Sequence, residues 1–284
     1  MHLIETHAHL DDTRFAHDLD AVMERARLAG VTRIITIGTG MESNRAALAL
    51  AEHYPSVYAA VGIHPANVSE EGIAWKEDLK ALAAHPKVVA LGEIGLDYYH
   101  LPSDLSAPSL ETWRENQVTS FQQQLDLAID LGLNAVIHQR DLPITKKKEL
   151  LPHSPLHHFN AWEEILKILS SYTKKIRAVF HCFGGTAEQA TQIIALGHLV
   201  SFTGIITFKN APLMREVAQT VGHNHYMLET DSPYLAPVPH RGERAEPAHV
   251  RLVAEKIAEL RGISLQEVAA NTTATAENFF RFSV

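Results

Sequence analysis

The sequence predicts a single-domain α/β protein, a closed (β/α)₈ TIM barrel, and three observations support this. Eight short apolar runs alternate with segments of helical periodicity, a pattern typical of parallel β–α–β units. The length of 284 residues suits such a barrel. No linker rich in Gly, Ser or Pro divides the chain. The alternative, an open doubly wound sheet, is less favoured because no G-x-G-x-x-G motif follows the first run.

The apolar runs are the predicted strands of the barrel. In chain order they are residues 3–10, 33–38, 57–65, 88–97, 134–141, 177–185, 198–206 and 226–235. Helical patterns such as 18–30 and 121–132 lie between them, and the second of these ends in Gly132, a helix stop signal. Residues 246–282 are predicted to form two or three closing helices.

Two stretches, near 100–113 and 146–162, depart from this alternation because they are rich in Pro, Ser and His. We interpret both as loop insertions within one domain that spans residues 1–284. Each follows the end of a predicted strand, so both are expected on the face of the barrel where active sites form.

The formal charge of −8 argues against a protein that coats duplex nucleic acid through a broad basic face. It does not exclude a nucleic-acid enzyme whose positive charge comes from bound metal ions. Cys182 is the single cysteine, so an intramolecular disulfide is excluded. The sequence shows neither a signal-peptide pattern nor an apolar run of membrane length. We therefore expect a cytoplasmic protein that contacts no membrane, and we infer no obligate protein partner.

Polar side chains follow the apolar runs at the end where barrel enzymes place their chemistry. The first run ends in His7 and His9, which are two residues apart and therefore share one face of a strand. Four neutral imidazoles and two carboxylates can hold two divalent cations, with one carboxylate bridging them. Paired cations of this kind are usual in two-metal hydrolysis. The predicted ligands are His7, His9, Glu93, His138, His181 and Asp231.

Position separates the four histidines of this set from the other histidines of the sequence. His223 and His225 also form a His-x-His pair, but they precede the eighth run. His198 likewise lies at the start of a run, the seventh. We assign these three to the opposite end of the barrel, where residues stabilise the fold. His64 ends the third run within GIHP, and we expect it to contact the substrate rather than a metal ion.

Seven motifs in one order connect this chain to a known family. They are THAHLD (6–11), GIHP (62–65), GEIGLDYY (92–99), VIHQRD (136–141), FHCFGG (180–185), ETDSPYLAP (229–237) and RGERAEP (241–247). In these motifs the sequence resembles the TatD family of metal-dependent deoxyribonucleases, within the amidohydrolase-like barrels. The resemblance covers nearly the whole chain and implies the same six ligands. One departure is Glu5, where the family often has aspartate.

The resemblance implies an enzyme that hydrolyses phosphodiester bonds of DNA, as a 3′-5′ exonuclease acting on single-stranded or frayed ends. Two divalent cations, Mg²⁺, Mn²⁺ or Zn²⁺, would activate a water molecule. Asp231 is the expected proton acceptor and Glu93 the expected bridging ligand, so both are assigned as catalytic. Two alternatives stay open. One is a metal-dependent hydrolase of a small ester, lactone or amide, or of aminoacyl-tRNA, and the other is a metal-binding protein without enzymatic activity.

The predicted substrate contacts are His64, Arg140, Arg241 and Tyr98. Either arginine would hold a phosphate or form a surface salt bridge. Four aromatic residues flank the predicted ligands: Tyr98, Tyr99, Phe183 and Tyr234. Each would either stack on a base or pack in the interior.

Parity along the strands gives three further expectations. Glu229 and Glu5 each lie two residues before a predicted ligand, Asp231 and His7, and so are expected to point inward with it. They are candidates to orient the ligands or to form an inner hydrogen-bonded pair. Cys182 follows His181 directly and is expected to point outward against the helices, as a buried thiol and not a nucleophile.

Overall fold

A computed structural model of the chain describes residues 1–71, 75–143, 145 and 158–282. Within these residues, eight parallel strands form one sheet in the order of the chain. They are β1 Leu3–Ala8, β2 Val31–Ile37, β3 Val57–Val61, β4 Val88–Asp97, β5 Asn134–Arg140, β6 Ala178–Phe180, β7 Leu199–Phe202 and β8 Tyr226–Leu228. Each lies in or overlaps a predicted run, and most runs continue past the strand into the loop that follows it.

The first and last strands meet and close the sheet into a barrel. Ala8 and Ser232 form a parallel bridge between the two segments. Glu5 adds a second connection, since its Oε1 accepts the backbone N–H groups of His7 and Thr230, both at 2.9 Å. Because an open sheet would leave these two edges unpaired, the doubly wound alternative is wrong and the predicted (β/α)₈ barrel is confirmed.

Helices cover the outside of the barrel between successive strands. Their bounds are Leu19–Leu28, Met41–His53, Val68–Glu71, Trp75–Ala83, Ala107–Leu131, Ala161–Ser171, Ala187–Ala195 and Pro212–Thr220. Two more, Val250–Arg261 and Leu265–Phe280, follow β8, and short 3₁₀ turns lie at Thr13–Phe15, Pro65–Asn67, Gly204–Thr207 and Pro247–His249. The predicted closing helices therefore form. Among the described helices, none has the length and apolarity needed to cross a membrane.

The helix ends follow from local sequence. Thr186 and Ser264 begin their helices with capping boxes, each completed by the residue three positions later, Gln189 and Glu267. Gly132 ends the long helix at a left-handed φ of 67°, a conformation that glycine adopts without the penalty of a Cβ atom.

Apolar side chains fill the barrel at the amino ends of its strands. Phe279 and Phe280 of the last helix pack there against residues from all the strands, among them Ile4, Ile35, Ala60, Val89, Val136, Val179, Leu199 and Met227. The barrel interior at this end is packed with apolar side chains. The candidate functional residues lie at the carboxyl ends of the strands.

The two predicted insertions differ in how much of them the structure describes. In the first, Ser106 precedes the helix Ala107–Leu131, so residues 107–113 are the first turns of that helix and only the part before them is a loop. Most of the second, near 146–162, lies outside the described residues. Its described end leads through Asn160, whose side chain accepts the N–H of Glu163, into the helix Ala161–Ser171.

Candidate metal centre

A cavity of about 1220 Å³ opens at the carboxyl ends of the strands. Both insertions reach it, since His100 and Asn160 belong to its lining. Its lining also includes five of the predicted ligands, His9, Glu93, His138, His181 and Asp231. The sixth, His7, is completely buried beside them, and its ring stacks on that of His181 with 4.0 Å between centroids. The structure thus brings all six side chains into one cluster.

Glu93 lies at the centre of this cluster, near the middle of the long strand β4. Its Oε2 is 3.4 Å from His7 Nε2. Its Oε1 is 2.7 Å from His138 Nδ1 and 2.8 Å from His181 Nε2. The two oxygens of one carboxylate therefore face different imidazoles, which is the arrangement that a ligand shared by two cations requires.

Asp231 faces the other side of the cluster. Its Oδ1 is 3.4 Å from His9 Nε2 and 3.7 Å from His7 Nε2. The residue lies three positions after β8 with a left-handed φ of 58°, a conformation that aspartate adopts more readily than most residues. This turn places the carboxylate in the cavity, beside the histidines of β1.

Three overlapping sets of these side chains offer donor atoms within 4.8 Å of one another, among the described residues. They are His7, Glu93 and His181; His7, His9 and Asp231; and His64, Glu93 and His138. Neighbouring sets share Glu93 or His7. The third set includes His64, which was expected to contact substrate.

Unpartnered buried atoms show that the cluster fits a metal ion. Both ring nitrogens of His7 and Nδ1 of His181 are buried without a hydrogen-bond partner in the described structure. Leaving a buried polar atom unpaired costs about 1–3 kcal/mol. A cation coordinated at His7 Nε2, the nitrogen that faces Glu93 and Asp231, would satisfy that atom.

The charge states of the cluster depend on which carboxylates face each ring. Burial lowers the pKa of His7, and His181 lowers it further, so His7 is neutral and its lone pair is available. Burial raises the pKa of Glu93, but the histidines His181 and His64 outweigh it and hold that pKa well below its usual range. Burial opposes the charging of His9, His138 and His181, yet the facing carboxylates raise their pKa values, that of His9 to about 9. A divalent cation would have to displace protons from these three rings, because neutral nitrogens and ionised carboxylates are the donors that Zn²⁺ and Mn²⁺ accept.

Two buried acidic residues lie near the candidate ligands, and one of them faces an imidazole. Glu229 Oε1 lies 3.6 Å from His181 Nδ1 and accepts the N–H of Cys182, while its Oε2 accepts the hydroxyl of Ser201 at 2.6 Å. This placement agrees with the orienting role expected for Glu229. Glu5 differs, because the contacts described above join it to backbone amides that connect β1 and β8, not to an imidazole.

Asp97 is a member of the site that the sequence analysis missed. It is completely buried at the end of β4, and its Oδ2 lies 3.1 Å from His138 Nε2 and 2.7 Å from His100 Nδ1. It therefore fixes the ring orientation of His138. Its parity could have identified it, since residues 93 and 97 of one strand point to the same face.

The predicted substrate contacts lie at different distances from the metal cluster and the cavity. His64 lies inside the cluster, with Nε2 3.5 Å from Glu93 Oε1. Arg140 lines the cavity, and its guanidinium lies 4.0 Å from the centroid of the Tyr99 ring. Arg241 does not belong to the cavity lining and stacks on Phe208 at 3.6 Å, outside the cavity.

Two expectations are corrected. Tyr98 is 0% exposed, packs on Trp113 and donates its hydroxyl to Glu164 at 2.6 Å, so it is part of the core and not a surface for substrate. Cys182 lines the cavity instead of facing the helices, because β6 has already ended and a left-handed φ of 46° breaks the alternation. Burial, with the nearby Asp231, raises the pKa of the Cys182 thiol, so it stays protonated and is not a nucleophile.

Comparison with known proteins agrees with this geometry. The model of the TatD related DNase family matches residues 4–281. The chain belongs to this family of metal-dependent hydrolases. It is 36% identical over 287 residues to an uncharacterized metal-dependent hydrolase of Bacillus subtilis, YabD, across 99% of this chain and 100% of that one. The family resemblance seen in the sequence is therefore confirmed.

Other TatD proteins are similar over nearly their whole length. The chain is 31% identical over 280 residues to the 3′-5′ ssDNA/RNA exonuclease TatD of Escherichia fergusonii, across 96% of this chain and 97% of that one. Among solved structures, the TatD homolog YJJV of Escherichia coli K12 superposes with a TM-score of 0.79 at 28% identity, across 99% and 98% of the two chains. The single-domain TIM barrel is thus the fold of a TatD protein.

Proposed function

We propose that this protein is a deoxyribonuclease that removes nucleotides from the 3′ end of single-stranded or frayed DNA, with two divalent cations as cofactors. The observation that carries the proposal is Glu93, whose two oxygens face separate histidines at the base of an open cavity of about 1220 Å³. TatD relatives whose names state 3′-5′ ssDNA/RNA exonuclease activity support the substrate class.

In this proposal Glu93 would be the ligand common to both cations. His7, His9 and Asp231 lie on one side of it and His138 and His181 on the other, with His64 within reach of the second group. When bound, Mg²⁺, Mn²⁺ or Zn²⁺ would lower the pKa of a water molecule and neutralise charge on the phosphoryl oxygens. The chain supplies the positions of these ligands, and Asp97 and Glu229 hold His138 and His181 in orientation.

Asp231 is the proposed proton acceptor for the attacking water. Burial raises its pKa, but the hydrogen bond to His9 and the charge of His181 lower it below the usual value, so the carboxylate is ionised at neutral pH. It lines the cavity, where a water molecule can reach it. A carboxylate in this state can hold a proton during bond cleavage and release it to solvent afterwards.

The size of the cavity favours a polymer end over a small ester. Sites for small molecules usually enclose about 300–1000 Å³. The cavity here is larger and extends from Asp12, after β1, to Asn160, after β5. Arg140 is exposed along that path and is the proposed contact for a second phosphate of the substrate.

A degradation assay with matched variants tests the proposal. Single-stranded DNA labelled at its 5′ end is incubated with metal-depleted protein, then with Mg²⁺, Mn²⁺ or Zn²⁺ added back. We expect a ladder that shortens from the 3′ end with the wild type and with Glu216→Ala, which removes an exposed carboxylate of the helix Pro212–Thr220. We expect no ladder with Glu93→Ala or with EDTA. Turnover of small esters, lactones or aminoacyl-tRNA, with DNA left intact, would contradict the proposal.

A further inference from the structure

The cavity lining combines polar and apolar side chains. On the side of β7 and β8 it includes Ile205, Tyr234 and Leu235. After β5 it includes the polar Arg140 together with apolar residues such as Trp162. A nucleotide needs both kinds of contact, since its base presents an apolar face and its sugar and phosphate are polar. The contact for the base is therefore sought among the aromatic rings that are exposed beside the metal centre.

Tyr234 is the exposed aromatic ring nearest to the candidate metal centre. Its backbone N–H donates to the carbonyl of Asp231 at 2.9 Å, and its ring centroid is 6.1 Å from that of His9. It is nevertheless 48% exposed, whereas Tyr98 and Phe183, which also flank the ligands, are buried. The ring is thus tied to two candidate ligands while much of its surface remains open to a molecule in the cavity.

Arg14 fixes the position of this ring before any substrate arrives. Its guanidinium lies 4.3 Å from the Tyr234 centroid, within the range of a cation–π contact. Asp12 holds the guanidinium in turn, accepting Nε at 2.9 Å and Nη2 at 2.8 Å. Because the ring is already held in place, a ligand that stacks on it loses little free energy in ordering the side chain.

We propose that Tyr234, backed by Arg14, is the stacking platform for the base of the nucleotide whose phosphate lies at the metal centre. This inference rests on the proposed function and adds how the substrate is recognised. Stacking on one ring accepts all four bases, because each base has an aromatic face. The platform therefore makes the enzyme dependent on the presence of a base and tolerant of its identity.

The test combines removal of the base with removal of the ring. Two single-stranded oligonucleotides are compared, identical except that one carries an abasic nucleotide at the 3′ end. For the wild type we expect kcat/KM to fall by about 5- to 150-fold when the base is absent, the range that base–aromatic stacking supplies. Tyr234→Leu should degrade the two substrates at nearly equal rates, whereas Tyr234→Phe should discriminate as the wild type does.

Tyr99 provides a matched control, because it also pairs with an arginine, Arg140 at 4.0 Å, but does not line the cavity. Tyr99→Leu should keep the wild-type ratio between the two substrates. A Tyr234→Leu variant that still prefers the substrate with a base, at the wild-type ratio, would overturn this inference alone. A wild type that hydrolyses neither oligonucleotide would overturn the proposed function and this inference with it.

Discussion

Two buried histidines lie at opposite ends of this barrel and have opposite surroundings. His7, at the carboxyl end of β1, is 0% exposed and has the carboxylates of Glu93 and Asp231 at 3.4 and 3.7 Å from Nε2. His198, just before β7, is 1% exposed, and its Nδ1 accepts the backbone N–H of Ala178.

The difference shows that burial alone does not make a histidine a metal ligand. Burial lowers the pKa of both rings, and both have an Nε2 without a hydrogen-bond partner in the described structure. The neighbouring charge separates them, since carboxylates face His7 and would attract a cation there, whereas the nearby Arg177 repels one from His198. We therefore assign His7 to the metal centre and His198 to the stability of the fold.

The largest expected effect follows from exchanging each of these rings for a shorter amide. His7→Asn should lower kcat/KM on single-stranded DNA by more than the roughly 10- to 100-fold that loss of an outer partner of a ligand costs. His198→Asn should stay close to wild type in activity, because it lies at the other end of the barrel. Bound metal, measured by mass spectrometry, should fall only in the His7 variant, and equal losses in both variants would remove the distinction.

A smaller effect is expected at a residue that only orients a ligand. Glu229→Gln preserves the shape of the side chain but removes the charge that faces His181 Nδ1 at 3.6 Å. Activity and metal affinity should each fall about 10- to 100-fold. The control is Asp18→Asn, which breaks a surface ion pair with Arg244 away from the cavity. If both variants lose activity equally, Glu229 has no specific part in the site.

The stability of the protein should depend on pH through His198, at the amino end of the barrel. Burial, with a contribution from Arg177, lowers the pKa of His198 to about 4, against 6.5 for an exposed histidine. The folded state therefore keeps His198 neutral while the unfolded chain binds a proton, and stability that is complete above about pH 6.5 is lost as the pH falls towards 4.

Urea unfolding of wild type and His198→Asn at several pH values measures this contribution. The free energy of unfolding of the wild type should fall by about 1–3 kcal/mol more than that of the variant between pH 6.5 and 4. Parallel curves for the two proteins would show that His198 does not titrate as its burial requires.

The smallest effect is expected on the surface of the substrate path. Arg140→Ala should raise KM a few-fold and reduce the slope of log affinity against log salt concentration by about 0.7, the value for one phosphate contact on a single strand. Arg241→Ala should change neither quantity, because Arg241 stacks on Phe208 outside the cavity lining. A larger effect at Arg241 than at Arg140 would place the substrate on a different path.

Strand parity explains which parts of the site could be predicted from the sequence. His7 and Glu93 lie within β1 and β4, so their convergence follows from the barrel, although the pairing register of both strands is irregular around them. Tyr98 and Cys182 lie beyond the last residue of β4 and β6, where alternation has ended, and both predictions failed there. Asp97 obeys the parity rule but was overlooked.

Loop conformation accounts for what the sequence does not determine. Arg140 and Arg241 are both exposed arginines in family motifs. Arg140, the last residue of β5, lines the cavity, whereas the course of its loop places Arg241 outside it. Tyr234 was one of four aromatic candidates in the sequence, and its pairing with Arg14, far away in the chain, is seen only in the folded structure.

The central claim is that six side chains from five segments of the barrel bind paired cations, and anomalous diffraction from crystals grown with Mn²⁺ tests it most directly. The account predicts two peaks within about 2.0–2.3 Å of the donor atoms, one beside His7 and His9 and both in contact with Glu93. Peaks absent from this cluster, or found only elsewhere on the protein, would contradict it.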